Sequence, residues 1–110
     1  YKHVSKFGSY ERLEFLGDAI LEYLIVRYLY DHSSNLNRGE IAQYRGKFTS
    51  NETLACLTLK HGLQKYILHN SKKKIDQKCY ADIFESLAGA VYVDSGMDLD
   101  VTWKDVTIGV

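Results

Sequence analysis

The sequence contains no proline, only two cysteines, and no apolar run of the roughly 20 residues that a membrane-spanning helix needs. The cysteines, Cys56 and Cys79, have no CxxC partner and no histidine at metal-ligand spacing, which argues against a zinc site and is compatible with a reducing compartment. No signal-peptide pattern is visible, although the chain begins at Tyr1 and is therefore expected to be a fragment. We expect an intracellular protein, cytoplasmic rather than nuclear, with no membrane partner.

Net charge is absent as well, because 14 Lys and Arg residues balance 14 Asp and Glu residues. The balance alone gives no support to nucleic-acid binding, but the charges are distributed unevenly. Residues 1–81 carry 13 basic and 8 acidic residues, whereas residues 82–110 carry one lysine and 6 acidic residues. A basic surface around an acidic pocket is compatible with an enzyme that acts on a polyanion.

Strand signals are missing, since no stretch alternates apolar and polar residues, and there is no internal repeat. Apolar residues instead recur at helical spacing, and an apolar content of 45% is typical of a globular domain. We therefore predict one all-α domain, with Ser50 or Asn51 as the N-cap of its third helix. Helices are predicted over about 10–30, 39–49, 52–60 and 78–93 and from about 97 onward, with an irregular lead-in before residue 10 and a short helical piece at 63–68.

Acidic residues are concentrated in the first predicted helix, within and just after the stretch ERLEFLGDAIL (11–21). At about 100° per residue, four of them fall within an arc of roughly 80°. They are Glu11, Glu14, Asp18 and Glu22. Like charges one turn apart repel each other by roughly a few tenths of a kcal/mol per pair. This arrangement is either a solvated acidic face or one half of a divalent-metal site.

A second pair of carboxylates, Asp82 and Glu85, lies one turn apart on the helix predicted over 78–93. Apolar neighbours indicate that this helix is well buried, and acidic residues on a buried helix need a partner. Two helices with one such pair each can direct four oxygen donors to one point, and oxygen donors are what Mg²⁺ and Mn²⁺ prefer. The pattern Glu-x-x-His is absent, which argues against a di-iron carboxylate bundle.

Three segments of the sequence, taken in order, resemble the ribonuclease III family. They are ERLEFLGDAIL (11–21), GEIAQYRGKFTSNETLACL (39–57), with Arg45 and Asn51 at the expected places, and ADIFESLAGAVYVDSG (81–96). The last is most similar to the second, C-terminal ribonuclease III domain of Dicer proteins. The resemblance covers nearly the whole chain. It implies a single helical endonuclease-domain bundle over residues 1–110, truncated at both ends, without a double-stranded-RNA-binding module.

The resemblance also implies a set of site residues. Glu14, Asp18, Asp82 and Glu85 match the family's catalytic carboxylates, which hold Mg²⁺ or Mn²⁺ in a two-metal site. Lys78 resembles a lysine that Dicer-type domains place beside this site, the alternative being one more loop lysine. Glu11 matches an outer acid with a positional role.

Other positions carry weaker implications. Phe15 matches an aromatic residue that the family inserts into its dimer partner. Lys72, Lys73 and Lys74 form either a solvated loop or an arm that contacts RNA phosphates. Arg38 departs from the pattern, because many bacterial members carry an acidic residue there.

The function that the resemblance implies is metal-dependent hydrolysis of phosphodiesters in double-stranded RNA, giving 5′-phosphate and 3′-hydroxyl ends, as in Dicer-like small-RNA processing and RNA interference. Cutting both strands requires a homodimer or pairing with a sister ribonuclease III domain. Two alternatives stay open. One is a catalytically inert scaffold that binds RNA or a protein partner, and the other is a carboxylate-bundle oxidoreductase.

Overall fold

The computed structural model of the chain describes residues 10–62 and 76–107, and within these ranges it is built from α-helices without any strand. The helices are α1 (Tyr10–His32), α2 (Arg38–Phe48), α3 (Asn51–Lys60), α4 (Gln77–Asp94) and α5 (Leu99–Thr107). The predicted all-α class is confirmed, and the predicted helices in these ranges are present with ends shifted by one or two residues. The lead-in before residue 10 and the helical piece at 63–68 lie outside the described residues.

Side-chain caps lie at the start of α2, α3, α4 and α5, and at α5 the Oδ1 of Asp98 accepts from the amide of Val101 at 3.0 Å. Asn37 caps α2 in a reciprocal capping box, because its Oδ1 accepts from the amide of Glu40 at 2.9 Å while Glu40 Oε1 accepts from the amide of Asn37 at 3.0 Å. Ser50 caps α3, with its Oγ 3.2 Å from the amide nitrogen of Thr53. Ser50 was one of the two N-caps predicted for this helix. Asp76 caps α4 by accepting from the amide of Cys79 at 2.9 Å. Such caps each stabilise a helix by about 1 kcal/mol.

The core lies where α4 packs against α1 on one side and against α3 on the other. Its central residues are Leu21, Leu54, Ala81, Phe84, Ala88 and Val106. Burying one leucine or phenylalanine side chain stabilises a fold by roughly 1.5–3 kcal/mol. In contrast, α2 has no buried residue and lies on the outside of the bundle. Within the described residues, no helix combines the length and the apolar character that crossing a membrane would require.

Two glycines allow α1 and α4 to touch through their backbones. A Cβ atom at Gly17 would overlap the carbonyl oxygen of Glu85, and a Cβ atom at Gly89 would overlap the carbonyl oxygen of Leu13. Any larger residue at either position would therefore hold the helices apart. This close approach brings the carboxylates on either side of Gly17 up to those on α4.

Candidate metal centre between the first and fourth helices

The four predicted carboxylates line one open cavity of about 300 Å³ between α1 and α4. Glu14 and Asp18 reach it from α1, and Asp82 and Glu85 reach it from α4. The other lining residues are Glu11, Phe15, Thr49, Asn51 and Lys78. The cavity thus unites side chains that are more than 60 residues apart in the sequence.

Three of the four carboxylates are arranged as a ligand set. One carboxylate oxygen from each of Glu14, Asp82 and Glu85 lies within 4.8 Å of the other two. Asp18 is outside this trio but lies close enough for its hydrogen bond and its negative charge to raise the pKa of Glu85, and Asp82 raises the pKa of Glu14 in the same way. Each of these interactions pairs a carboxyl group on α1 with one on α4.

The cluster is half-buried and uniformly acidic, and both properties raise carboxyl pKa values. The pKa of Glu85 is raised to about 8, first by burial, then by the hydrogen bond to Asp18 and by the negative charges of Asp18, Asp82 and Glu14. Burial also raises the pKa of Glu14, followed by the charge and hydrogen bond of Asp82. Carboxylates crowded in this way favour a bound cation, whose charge offsets their mutual repulsion. Clustered oxygen donors without nitrogen or sulfur fit Mg²⁺ or Mn²⁺.

Lys78 is the basic residue among those that line the cavity. Its Nζ atom lies 3.0 Å from Oδ1 and 3.2 Å from Oδ2 of Asp82, one helical turn further along α4. The hydrogen bond to Asp82, and then its charge, raise the pKa of Lys78. The lysine side chain is 66% exposed, whereas that of Asp82 is 22% exposed. The ammonium group therefore lies at the solvent-facing rim of the cavity, where a polyanion could reach it.

The remaining predicted residues fall in different places. Glu11 and Phe15 line the cavity, and Phe15 is 81% exposed, so it is not a core residue of this chain. Arg38 begins α2 and is not a lining residue, and nearby Glu40 is occupied by its capping box. Lys72, Lys73 and Lys74 lie outside the described residues, and their predicted contact with RNA stays a prediction.

For some residues that shape the site, the sequence gives little indication of their role. Gly17 and Gly89 are interior helical glycines, each of which costs about 1 kcal/mol relative to alanine, and this cost could have pointed to a close contact. Thr49 and Asn51 form the wall contributed by the α2–α3 junction. Their placement depends on the Ser50 cap, whose hydroxyl also donates to the carbonyl of Lys47 at 2.8 Å. No sequence pattern indicated Thr49.

Comparison with known proteins gives consistent results. The sequence pattern of the family described as Ribonuclease III domain matches residues 11–96. The chain is 32% identical to Endoribonuclease dcr-1 of Caenorhabditis elegans over 138 residues, covering 88% of this chain and 7% of that protein. It is 35% identical to Endoribonuclease Dicer homolog 4 of Oryza sativa subsp. japonica over 121 residues, covering 88% of this chain and 7% of that protein.

A solved structure shares the fold. The structure of Dicer from Pichia stipitis superimposes on this chain with a TM-score of 0.76 and 34% sequence identity, covering 89% of this chain and 46% of that one. The chain thus spans less than half the length of each of these relatives.

Proposed function

The chain belongs to the ribonuclease III domain family, and from that premise we propose that it is a divalent-metal-dependent endoribonuclease domain acting on double-stranded RNA. The observation that carries this proposal is the convergence of Glu14, Asp82 and Glu85, whose oxygens lie within 4.8 Å of one another. The predicted products carry 5′-phosphate and 3′-hydroxyl ends. The similarity to Dicer proteins supports a role in small-RNA processing, with this chain corresponding to the second ribonuclease III domain.

The residues of the cavity would have different roles in metal binding. Glu14, Asp82 and Glu85 would hold the metal, and Asp18, whose hydrogen bond raises the pKa of Glu85, would orient that ligand or complete a second site. When bound, Mg²⁺ or Mn²⁺ supplies Lewis acidity and an activated water for attack on a phosphate. Metal binding would favour the ionised carboxylates and so oppose the raised pKa values of Glu14 and Glu85.

Lys78 would act on the substrate side of the same cavity. Its ammonium group is tethered to Asp82 yet remains mostly exposed, so it can contact a phosphate oxygen without leaving its partner. A fixed positive charge next to the phosphate stabilises the negative charge that develops during hydrolysis. The shape and backbone of a duplex, rather than its base sequence, would be recognised.

One such cavity cuts one strand, so we propose that a second copy of the chain or a sister ribonuclease III domain supplies the second cut. The exposed ring of Phe15 at the edge of the cavity supports this pairing, because an aromatic side chain that is 81% exposed leaves a large apolar surface in water. Docking it into a partner would bury that surface beside the site.

The test is cleavage of an end-labelled RNA duplex in Mg²⁺ by the wild type and by Glu85→Gln, which keeps the shape of the side chain but removes its charge. We expect Glu85→Gln to lose more than about 100-fold in rate, because the loss of even an indirect partner of a metal ligand costs 10–100-fold. Glu22→Gln, on α1 outside the cavity, is the matched control and should cleave like the wild type. Equal cleavage by both variants, or no cleavage by a dimeric wild type, would refute the proposal. The second outcome would favour an inert scaffold.

A further inference from the structure

Thr58 is a buried polar residue that the proposed chemistry does not use. It lies in the last third of α3, and its relative exposure is 0%. Leu54, one turn earlier on α3, is a buried apolar residue of the core. A hydroxyl in such surroundings is unfavourable unless it is hydrogen-bonded, so its partner is informative.

The partner of Thr58 is on the other helix. The Thr58 hydroxyl lies 2.6 Å from the carbonyl oxygen of Tyr80 on α4 and 3.1 Å from that of Leu54 on its own helix. A hydroxyl has one proton, and the shorter distance assigns it to Tyr80. The carbonyl oxygen of Tyr80 also accepts the helical hydrogen bond from the amide four residues later in α4, so it has a partner without Thr58. The bond is therefore not needed to cap a helix, and what it adds is a connection between α3 and α4.

The bond joins two elements that both line the cavity. Tyr80 lies midway between Lys78 and Asp82 on α4, whereas α3 begins at Asn51, which faces the same cavity. Asn51 is seven residues before Thr58, a distance of roughly 10 Å along a helix. Because α3 is stiff over this length, fixing Thr58 against Tyr80 also fixes Asn51 relative to Asp82 and Glu85.

Apolar packing alone does not fix this position. Contacts between side chains such as Leu54 and Phe84 are non-directional, and they tolerate a small slide of one helix along the other. A short hydrogen bond to one particular carbonyl favours a single axial register. We propose that Thr58 is a positioning residue that fixes α3 on α4 and thereby aligns the Asn51 wall of the cavity with the carboxylates of Asp82 and Glu85. Its effect on catalysis rests on the proposed nuclease function, whereas its effect on helix register does not.

The chain offers a matched control. Thr102 on α5 has a relative exposure of 0%, and its hydroxyl donates at 2.8 Å to the carbonyl of Asp98, four residues earlier in the chain. Thr102→Val therefore removes an equally buried hydroxyl that makes no connection between helices. Thr58→Val removes the connecting one while keeping the volume of the side chain. Thr58→Ser restores the hydroxyl without the methyl group.

The register is measured first, in EDTA and without RNA. Nitroxide labels are attached to the exposed Cys56 on α3 and to Gln77→Cys on α4, with Cys79→Ser in every variant, and the distance distribution is recorded by electron paramagnetic resonance. We expect Thr58→Val to shift or broaden the distribution, and Thr58→Ser and Thr102→Val to reproduce the wild type. If Thr58→Val does not fold, Thr58→Ala is measured instead.

Mn²⁺ binding and cleavage are measured next. We expect Thr58→Val to weaken Mn²⁺ binding by about tenfold and to lower kcat more than it raises KM, with both restored in Thr58→Ser. Thr102→Val should lose comparable thermal stability but keep the wild-type Mn²⁺ affinity. An unchanged label distance in Thr58→Val, or an equal change in Thr102→Val, would overturn the proposal. A wild type that binds no Mn²⁺ would instead refute the proposed function and leave the distance result to decide the role of Thr58.

Discussion

Replacing Gly17 by alanine tests whether the carboxylate cavity depends on backbone contact between α1 and α4. The added Cβ would lie 2.6 Å from the carbonyl carbon of Glu85, about 1 Å short of the optimal separation of two carbon atoms, roughly 3.5–4.0 Å. The obstacle is helix backbone, which cannot rotate aside as a side chain can. The carbonyl oxygen of Glu85 lies closer still, so the two helices must separate by more than about 1 Å.

The expected cost follows from two opposing effects. Alanine is favoured over glycine inside a helix by about 1 kcal/mol. Overpacking of a tight interface costs about 1–3 kcal/mol, and here it acts in the middle of the main helix pair of the core. Because the obstacle is backbone, we take the upper end of the overpacking cost and expect a net loss of about 2 kcal/mol, which for a domain of this size lowers the Tm by roughly 8–16 °C.

The same displacement should reach the cavity, because Asp18 is the next residue after Gly17 and Glu85 supplies the blocked carbonyl. A misplacement of about 1 Å can cost about 100-fold in catalysis. The assays are thermal unfolding, Mn²⁺ affinity and duplex cleavage. The control is Gly46→Ala on the exposed helix α2, where a Cβ atom meets nothing within 4 Å. That variant should gain up to about 1 kcal/mol from helix propensity.

The reasoning would be refuted if Gly17→Ala melted at or above the wild-type temperature and retained its Mn²⁺ affinity. A loss of stability with intact Mn²⁺ affinity would show that the interface is tight but that the ligand set adapts. That result would refute the link between the glycine contact and the cavity.

Four further predictions concern the cavity and its surroundings. In EDTA, the pKa of Glu85 is raised to about 8, with burial as the largest cause, so its protonated form stabilises the fold. This contribution is complete below the unfolded value of 4.5 and is lost as the pH rises through about 8. Urea unfolding should therefore show stability declining over this window, and Glu85→Gln should flatten the decline. Mg²⁺ at pH 8 and at 100 times its dissociation constant should add about 2.7 kcal/mol to the stability of the wild type and so raise its Tm. If the Tm measured by calorimetry did not change across a Mg²⁺ titration, the metal site would be contradicted. Lys78→Met should slow duplex cleavage by about tenfold or more. Its Tm should change little, because exposed ion pairs contribute little to stability. The control, Lys104→Met on α5, should change neither the cleavage rate nor the Tm. Phe15→Ala should weaken self-association, measured by analytical ultracentrifugation, without lowering the stability of the monomer. The control is Tyr30→Ala, which removes a ring that is 77% exposed at the other end of α1. This control should leave self-association unchanged.

Helical periodicity was enough to predict the all-α class and the pairing of carboxylates on two helices. Periodicity states which residues share a face, and Glu14 with Asp18 and Asp82 with Glu85 each share one. Local capping chemistry was equally readable, since Ser50 precedes a helical stretch and has a side chain that can accept the amide of Thr53. The family resemblance then joined the two carboxylate pairs into one site.

Distances between helices were not predictable in the same way. The spacing of acidic residues does not reveal that Glu14, Asp82 and Glu85 form a tight trio while Asp18 bonds to it from outside. That geometry depends on how closely α1 approaches α4, which is set by the missing side chains of Gly17 and Gly89. Phe15 is a similar case, because an apolar residue at helical spacing can face either the core of its own chain or a partner, and only the packing of the helices distinguishes these.

The contact between Gly17 and Gly89 joins segments that are more than 70 residues apart in the sequence. A ribosome that adds about 5–20 residues per second delivers the second segment roughly 4–14 s after the first. During that interval the acidic face of α1 has no counterpart, and the closure of so long a loop must precede any complete ligand set. A cation at the proposed site would therefore find its complete ligand set only after α4 has followed α1 out of the ribosome and has packed against it. Bound there, it would slow unfolding by holding α1 and α4 together.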